Sequence, residues 1–247
     1  MLMNDEAIKE QKIILEDINS HFRKALNSHG YGFQYSILRK AAELRDDRKS
    51  TWGLVAGEFP VAINGFNTHI DFILRNSGYR SDNSTTFLIA ECKRANPALS
   101  NWCFVKSPYI RLNRYPIDPF VFEFMQLNSS STPPLWVSSI SRHKQEESYH
   151  IAMEIASKEK GDSFGKGRGA IDEASAQVCR GLSGFVEVIA KYKSVLGSST
   201  AVQFIPVIFT TAKLFTSSVD LSESDLLTGN IDASKMELVE KPFIFYQ

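Results

Sequence analysis

The chain lacks an excess of charge of either sign, because 28 of its 247 residues are Lys or Arg and 28 are Asp or Glu. A neutral chain has no long-range field that would draw it onto nucleic acid. Contact with nucleic acid would therefore need a local basic patch, a metal ion that offsets phosphate charge, or a basic partner. An apolar content of 43% argues against disorder, and the length suits one large domain or a core with an insertion.

Cysteine and long apolar runs are also scarce. Cys92, Cys103 and Cys179 form no CxxC pair, and no Cys/His cluster has the spacing of a zinc site, so we expect reduced thiols. No stretch approaches the roughly 20 apolar residues of a membrane span. The first twelve residues contain charges and no run of signal-peptide type. These absences predict a cytoplasmic protein that does not associate with a membrane.

Apolar periodicity predicts three helices. Residues with three- and four-residue spacing run from Ile8 to Leu26, from Tyr35 to about Arg48, and from about Ile171 to Tyr192. The third pattern is the clearest. Basic residues on the second helix are interpreted as a solvated face in preference to a phosphate-binding edge; they are Arg39, Lys40, Arg45 and Arg48.

Three consecutive strands are predicted between the second and third helices. They are Trp52–Ile63, Thr68–Arg75 and Thr86–Lys93, which are rich in apolar and β-branched residues. Asn64-Gly65 fits a tight turn between the first two strands, and the polar residues 76–85 fit a longer loop between the second and third. The pattern therefore predicts an antiparallel meander.

The stretch from Arg94 to about Gly169 is less regular and is interpreted as an insertion. Within it, Phe120–Met125 and Leu135–Ile140 are predicted strands, and Glu146–Lys158 is a predicted helix.

A mostly apolar strand, Val202–Thr210, is predicted directly after the third helix. Pro206 lies inside it and cannot donate to a sheet ladder, so the strand should lie near an edge or start later. A short strand is predicted at Phe243–Tyr246.

Acidic and basic residues on the second strand and at the end of the third carry the chemical signal. Glu91 and Lys93 are two residues apart and should share one face of a strand, while the preceding strand can bring Asp71 alongside. Two carboxylates and an ammonium group at one point require partners or a metal ion. Oxygen ligands from Asp71, Glu91 and the Cys92 carbonyl suit Mg²⁺ or Mn²⁺. A salt bridge without a catalytic role is the alternative interpretation.

Such an ion would acidify a bound water and offset charge on a phosphate. Lys93 would orient or help deprotonate that water, and would stabilise the same developing charge.

The Asp71…Glu91-x-Lys93 pattern on successive strands, after one helix and before a long one, resembles the PD-(D/E)xK nuclease superfamily. Ile70 stands where many members have proline. The resemblance covers roughly residues 31–93 and 169–210. It implies an α/β, restriction-endonuclease-like fold with a mixed central sheet flanked by helices. The chain would form a single nuclease domain, with a core at about 31–97 and 169–212 and an insertion at about 98–168 between the catalytic strands and the long helix.

The resemblance also implies further site residues. Glu58 corresponds to an additional metal ligand, although an ordinary strand-edge carboxylate remains an alternative. Gln177 corresponds to a catalytic-site glutamine on the long helix, and Arg180 to a phosphate contact; a structural hydrogen bond or a surface role is the alternative for each. Lys166 and Arg168, in a glycine-rich loop before that helix, are expected to contact the nucleic-acid backbone, because the loop lacks Walker spacing for a nucleotide.

The resemblance finally implies an enzyme, a metal-dependent nuclease that hydrolyses phosphodiester bonds with Mg²⁺ or Mn²⁺. DNA is expected as the substrate before RNA. A role as the nuclease subunit of a prokaryotic antiviral defence or restriction system is implied, with a partner such as a helicase or ATPase subunit, or a homo-oligomer. The alternative is a non-catalytic or partner-gated nucleic-acid-binding subunit with the same fold.

Overall fold

All three predicted helices are present in the computed structural model. They are α1 (Asp5–Ser28), α2 (Tyr31–Asp46) and α3 (Ala170–Lys191). The structure describes residues 5–28, 30–63, 65–77, 84–107, 122–126, 135–139, 148–155, 169–192, 201–232, 234 and 236–246.

The described strands form three sheets. A six-stranded sheet has the order β1-β2-β3-β9-β5-β6, a four-stranded sheet has the order β11-β10-β4-β8, and β12 pairs with β7. The strands are β1 (Trp52–Ile63), β2 (Phe66–Ser77), β3 (Ser84–Lys93), β4 (Asn101–Val105), β5 (Phe122–Gln126), β6 (Leu135–Ser139), β7 (Ser148–Tyr149), β8 (Ile151–Ile155), β9 (Ala201–Thr210), β10 (Lys213–Ser217), β11 (Leu238–Lys241) and β12 (Phe245–Tyr246).

The predicted meander is confirmed and forms one half of the six-stranded sheet. β1 pairs antiparallel with β2, and β2 pairs antiparallel with β3. β9 then pairs parallel with β3, after a crossover that includes α3. β5 pairs antiparallel with β9, so the sheet is mixed, as predicted.

Pro206 lies where β9 has a described neighbour on one side only. β9 pairs with β3 along its whole length, and Pro206 lies opposite Ile89. Its described pairing with β5 covers only residues 201–204. Proline has no N–H to donate, so it is tolerated where that donor would point away from β3. This is the position expected for a proline near a strand edge.

The predicted helix at Glu146–Lys158 is wrong where that range is described, because residues 148–155 form β7 and β8. β8 pairs antiparallel with the buried strand β4, some 50 residues earlier in the chain. That long-range pairing overrides local helix propensity. Strands of the presumed insertion also join the main sheets, since β5 extends the six-stranded sheet and β4 is central to the four-stranded one.

Helices cover both faces of the meander, so this part of the molecule has three layers. Along β3, Phe87 and Ile89 pack in a cluster with α3, while Leu88 and Ala90 pack in a cluster with α2. The α3 cluster also contains the buried residues Val178, Leu182, Phe185, Val186 and Ile189 of the helix.

Two glycines allow α3 to lie close to the sheet. A Cβ added at Gly181 would lie 2.8 Å from Cγ1 of Ile70, and one added at Gly184 would lie 2.8 Å from Cβ of Val61. Such distances are too short for a carbon–carbon contact, so any larger residue requires α3 or the strands to move.

We predict that Gly181→Ala lowers the free energy of unfolding by about 1–3 kcal/mol, because the added methyl group overpacks the interface between α3 and β2. Gly32→Ala is the matched control, since its Cβ would meet nothing within 4 Å. In helix α2 that change should be neutral or stabilising by up to about 1 kcal/mol. Urea unfolding of both variants checks this, and equal effects would contradict the close approach of α3.

Candidate active site

β2 changes face at Asp71. In a regular strand, residues two apart point to the same side of the sheet. Ile70 nevertheless packs in the cluster beneath α3, while Phe72 packs in the cluster beneath α2. The strand therefore reverses its facing at this point, and Asp71 lies at the reversal.

A matching irregularity lies opposite, in β1. Glu58 has a φ of 49°, in the left-handed region that residues other than glycine seldom adopt. Its neighbours Gly57 and Phe59 pair with the two residues that flank Asp71. A residue held in this conformation costs on the order of 1–3 kcal/mol and is typical of functional sites.

The carboxylate of Asp71 closes the end of the ladder between β2 and β3. The last backbone pair of that ladder joins Phe72 to Ala90. Beyond it, the backbone N–H of Cys92 donates to Oδ2 of Asp71 at 2.6 Å. The side chain thus replaces a backbone partner and holds the Asp71 carboxylate beside the residue adjacent to Glu91.

Gln34 of α2 supports this arrangement from the other side of the sheet. Its side chain is buried, and Nε2 donates to Oε1 of Glu58 and to the backbone carbonyl of Asp71, both at 2.8 Å. The sequence analysis did not identify Gln34. Gln34 precedes the helix that was predicted from Tyr35, and no pattern in the sequence marked it.

Glu91 and Lys93 share the α3 face of β3, as their spacing predicted. Nζ of Lys93 lies 3.6 Å from Oε1 of Glu91 and 3.5 Å from Oε2 of Glu173. The Glu91 side chain is only 6% exposed and that of Lys93 is 20% exposed, whereas Glu173 is largely exposed. Glu173, which α3 brings to the site, was not predicted from the sequence.

Burial disfavours the charged forms of both acids. Burial and, to a smaller extent, the nearby Asp71 charge raise the pKa of Glu91 to about 7, although Lys93 opposes the rise. Burial likewise raises the pKa of Asp71, against the hydrogen bond from Cys92. The site therefore contains too little positive charge to compensate both carboxylates.

The Cys92 thiol is not a candidate nucleophile. Burial raises its pKa, and the charges of Asp71 and Glu91 raise it further. A thiol in this environment stays protonated. Cys92 therefore serves the site through its backbone, with its N–H bound to Asp71 and its carbonyl as the predicted ligand.

Gln177 lies four residues, about one helical turn, beyond Glu173 on α3. Its Oε1 atom is buried and has no hydrogen-bond partner in the part of the chain that the structure describes. Arg180 is on the same helix and is exposed. The predicted nucleic-acid contacts Lys166 and Arg168 lie outside the described residues.

The donor set fits a hard divalent cation. In the part of the chain that the structure describes, no three His, Cys, Asp or Glu side chains are grouped to hold a metal ion by themselves. Asp71 and Glu91 provide two carboxylates, and the Cys92 carbonyl is the predicted third oxygen. Mg²⁺ and Mn²⁺ prefer such oxygen donors and usually retain several waters.

A basic cleft lies further along the same sheet. Arg45, Arg48 and Arg75 line a cavity of about 600 Å³, together with the acidic residue Asp46. Nε of Arg75 is buried and lacks a hydrogen-bond partner among the residues whose structure is described. Arg75 is four residues from Asp71 on β2, which corresponds to about 13 Å at the rise of a β-strand. The neutral chain thus has a local cationic cleft near the acidic site.

No family model, curated protein or solved structure matches the chain. Among the helices that the structure describes, none combines the length and apolar character needed to cross a membrane. Function must therefore be inferred from the chemistry of the site.

We predict that stability falls with rising pH because of Glu91. Its folded-state pKa lies above the ordinary 4.5, so its stabilising contribution is full below that pH and is lost as pH rises through about 7. Relative to Glu91→Gln, the wild-type free energy of unfolding should fall by up to about 3 kcal/mol between pH 4.5 and 8. Urea unfolding in metal-free buffer measures this.

Glu187→Gln is the control for that experiment, because Glu187 is an exposed glutamate on α3. Its stability should follow the wild type at every pH. A difference between wild type and Glu91→Gln that does not change with pH would show that Glu91 is not a buried titrating acid.

Proposed function

We propose that the chain is a metal-dependent nuclease of the PD-(D/E)xK type with a restriction-endonuclease-like core. One observation carries the proposal: Asp71 accepts a hydrogen bond from the N–H of Cys92, while Glu91 and Lys93, on either side of Cys92, contact each other. Two acids and one amine from adjacent strands thereby converge, as the superfamily pattern requires.

The order of elements supports the same assignment. α2 precedes the meander β1–β3, α3 follows it, and β9 then pairs parallel with β3. This order resembles the helix, three-stranded meander, helix and strand of the superfamily core. The acids lie at the end of the β2–β3 pairing.

Asp71, Glu91 and the Cys92 carbonyl would hold Mg²⁺ or Mn²⁺. When bound, such an ion acidifies water and offsets negative charge on a phosphate. Lys93, held between Glu91 and Glu173, directs its ammonium group to orient the attacking water and to stabilise charge on the phosphate oxygens. The amide oxygen of Gln177, which has no hydrogen-bond partner among the described residues, would accept a hydrogen bond from that water.

In this proposal Glu58 has a structural role, in addition to the role of metal ligand that the resemblance implies. Its Oε1 atom accepts the hydrogen bond from Gln34, and its charge contributes to the raised pKa of Asp71. Glu58 thus helps to position Asp71, and its second carboxylate oxygen is available to a ligand or to water.

DNA is the proposed substrate, in accordance with the commoner activity of the superfamily. The arginines of the basic cleft would contact its phosphates away from the acids. A role as a nuclease subunit in prokaryotic defence, with a helicase or ATPase partner or as a homo-oligomer, remains the corresponding biological proposal.

We predict that the purified chain cleaves plasmid DNA in Mg²⁺ or Mn²⁺ and is inactive in EDTA. Asp71→Asn and Lys93→Ala should each lower the rate by about 100-fold or more, since each removes charge stabilisation of the transition state. Gel analysis of plasmid conversion over time provides the rates.

Matched controls are Asp220→Asn and Lys40→Ala, which alter exposed residues and should leave cleavage unchanged. Mn²⁺ should raise the melting temperature of the wild type, but not that of Asp71→Asn. Cleavage that survives in both site variants would reject the assignment. Metal-dependent stabilisation without cleavage would instead favour a non-catalytic or partner-gated subunit.

We further predict that Arg45→Ala and Arg75→Ala each weaken DNA binding and reduce the slope of log affinity against log salt by about 1, because each removes a phosphate contact. Arg39→Ala is the control, since Arg39 is an exposed α2 residue near Glu43 and does not line the cleft. Fluorescence anisotropy in Ca²⁺ at several salt concentrations measures the slopes. Equal slopes for all three variants would remove the basic cleft from the binding surface.

A further inference from the structure

Helix α1 exposes an apolar face. Its five large apolar side chains from residue 14 onward have exposed fractions between 42% and 59%, and they are Ile14, Leu15, Ile18, Phe22 and Leu26. A continuous exposed apolar surface of this kind is typical of an interaction site. Burial of this face against another surface would therefore be favourable.

The spacing of these residues is that of a coiled-coil seam. Leu15, Ile18, Phe22 and Ala25 follow one another at intervals of three, four and three residues, as the a and d positions of a heptad do. Ile14 and Leu26 flank that seam. The occupant with the matching shape is another helix that has the same repeat.

The seam is symmetric about Ser20. Ile18 and Phe22 are each two residues from Ser20, Leu15 and Ala25 are each five, and Ile14 and Leu26 are each six. When two copies of α1 lie antiparallel with Ser20 level with Ser20, every apolar residue lies level with an apolar residue, because position a then packs in one layer with position d. A twofold interface has this self-complementary property.

The charges on α1 favour the antiparallel orientation. Glu16 and Asp17 precede Ser20 by four and three residues, and Arg23 and Lys24 follow it by three and four. Antiparallel pairing places the acids of one copy level with the bases of the other, whereas parallel pairing places like charges level. These residues lie on the outer sides of the pair, away from the seam, so they add only a weak, salt-screened preference for this orientation, and the apolar residues supply the affinity.

We propose that α1 is a dimerisation helix, which pairs antiparallel with α1 of a second copy of this chain about a twofold axis level with Ser20. The pairing buries the Ile18 side chain of each copy against Phe22 of the other. The assignment depends only on α1, so it stands or falls independently of the nuclease proposal.

Sedimentation equilibrium over a hundredfold range of concentration tests the dimer. The wild type should show a monomer–dimer equilibrium, and Ile18→Glu should weaken dimerisation at least tenfold because it places a charge in the seam. Ser20→Glu adds the same charge on the opposite side of the same helix, about 200° from Ile18, and should leave the dimer intact. Circular dichroism and melting temperature confirm that each variant is folded.

Cysteine cross-linking with a short bismaleimide tests the orientation, in a Cys179→Ser background because Cys179 is the exposed native thiol. His21→Cys lies beside the axis and should cross-link to its own counterpart. Leu26→Cys should not, because its counterpart lies twelve residues further along the pair, or about 18 Å. The background without an added cysteine provides the baseline.

A wild type that remains monomeric at all concentrations would overturn the proposal, and so would a dimer unaffected by Ile18→Glu. Efficient cross-linking of both His21→Cys and Leu26→Cys would show a parallel pair and reject the antiparallel geometry. The antiparallel dimer would be established if Ile18→Glu weakens dimerisation, Ser20→Glu leaves the dimer intact and only the cysteine at position 21 cross-links.

Discussion

The hydrogen bond from the backbone N–H of Cys92 to the carboxylate of Asp71 is the constraint on which the site depends. It ends the backbone ladder between β2 and β3 and fixes one acid beside the strand that carries the second. Glu58 lies in a left-handed conformation opposite Asp71, and the buried amide of Gln34 donates both to Glu58 and to the backbone carbonyl of Asp71, which fixes the backbone that carries the carboxylate. The strained backbone at Glu58 persists because contacts with α2, β1 and β2 stabilise it.

Placing these two acids close together in a buried site is electrostatically unfavourable, and the other groups of the site compensate for this. Burial raises the pKa of Glu91 and of Asp71, and Lys93 alone supplies a cation in direct contact with Glu91 among the described ion pairs. A divalent ion would relieve the remaining repulsion, since it favours the ionised forms of both acids. The close approach of α3, which carries Glu173, connects the packing of the core to the position of Lys93.

The sequence was sufficient for the features that depend on local pattern. Strand alternation and turn residues predicted β1–β3, and two-residue spacing predicted that Glu91 and Lys93 share a face. The reversal at Asp71 was not predictable, because a positive φ at Glu58 leaves no mark on polarity. Gln34 and Glu173 depend on how two helices pack, and the four-stranded sheet depends on long-range pairing of β4 with β8 and β10. Local helix propensity misled at β8 for the same reason.

The most direct test is anomalous diffraction from crystals of the wild-type chain grown with Mn²⁺. The proposed geometry predicts a manganese peak bound by the carboxylates of Asp71 and Glu91 and by the carbonyl of Cys92, at about 2.0–2.3 Å from each oxygen. Absence of a peak at this position at saturating Mn²⁺, or a metal bound only elsewhere, would contradict the assignment.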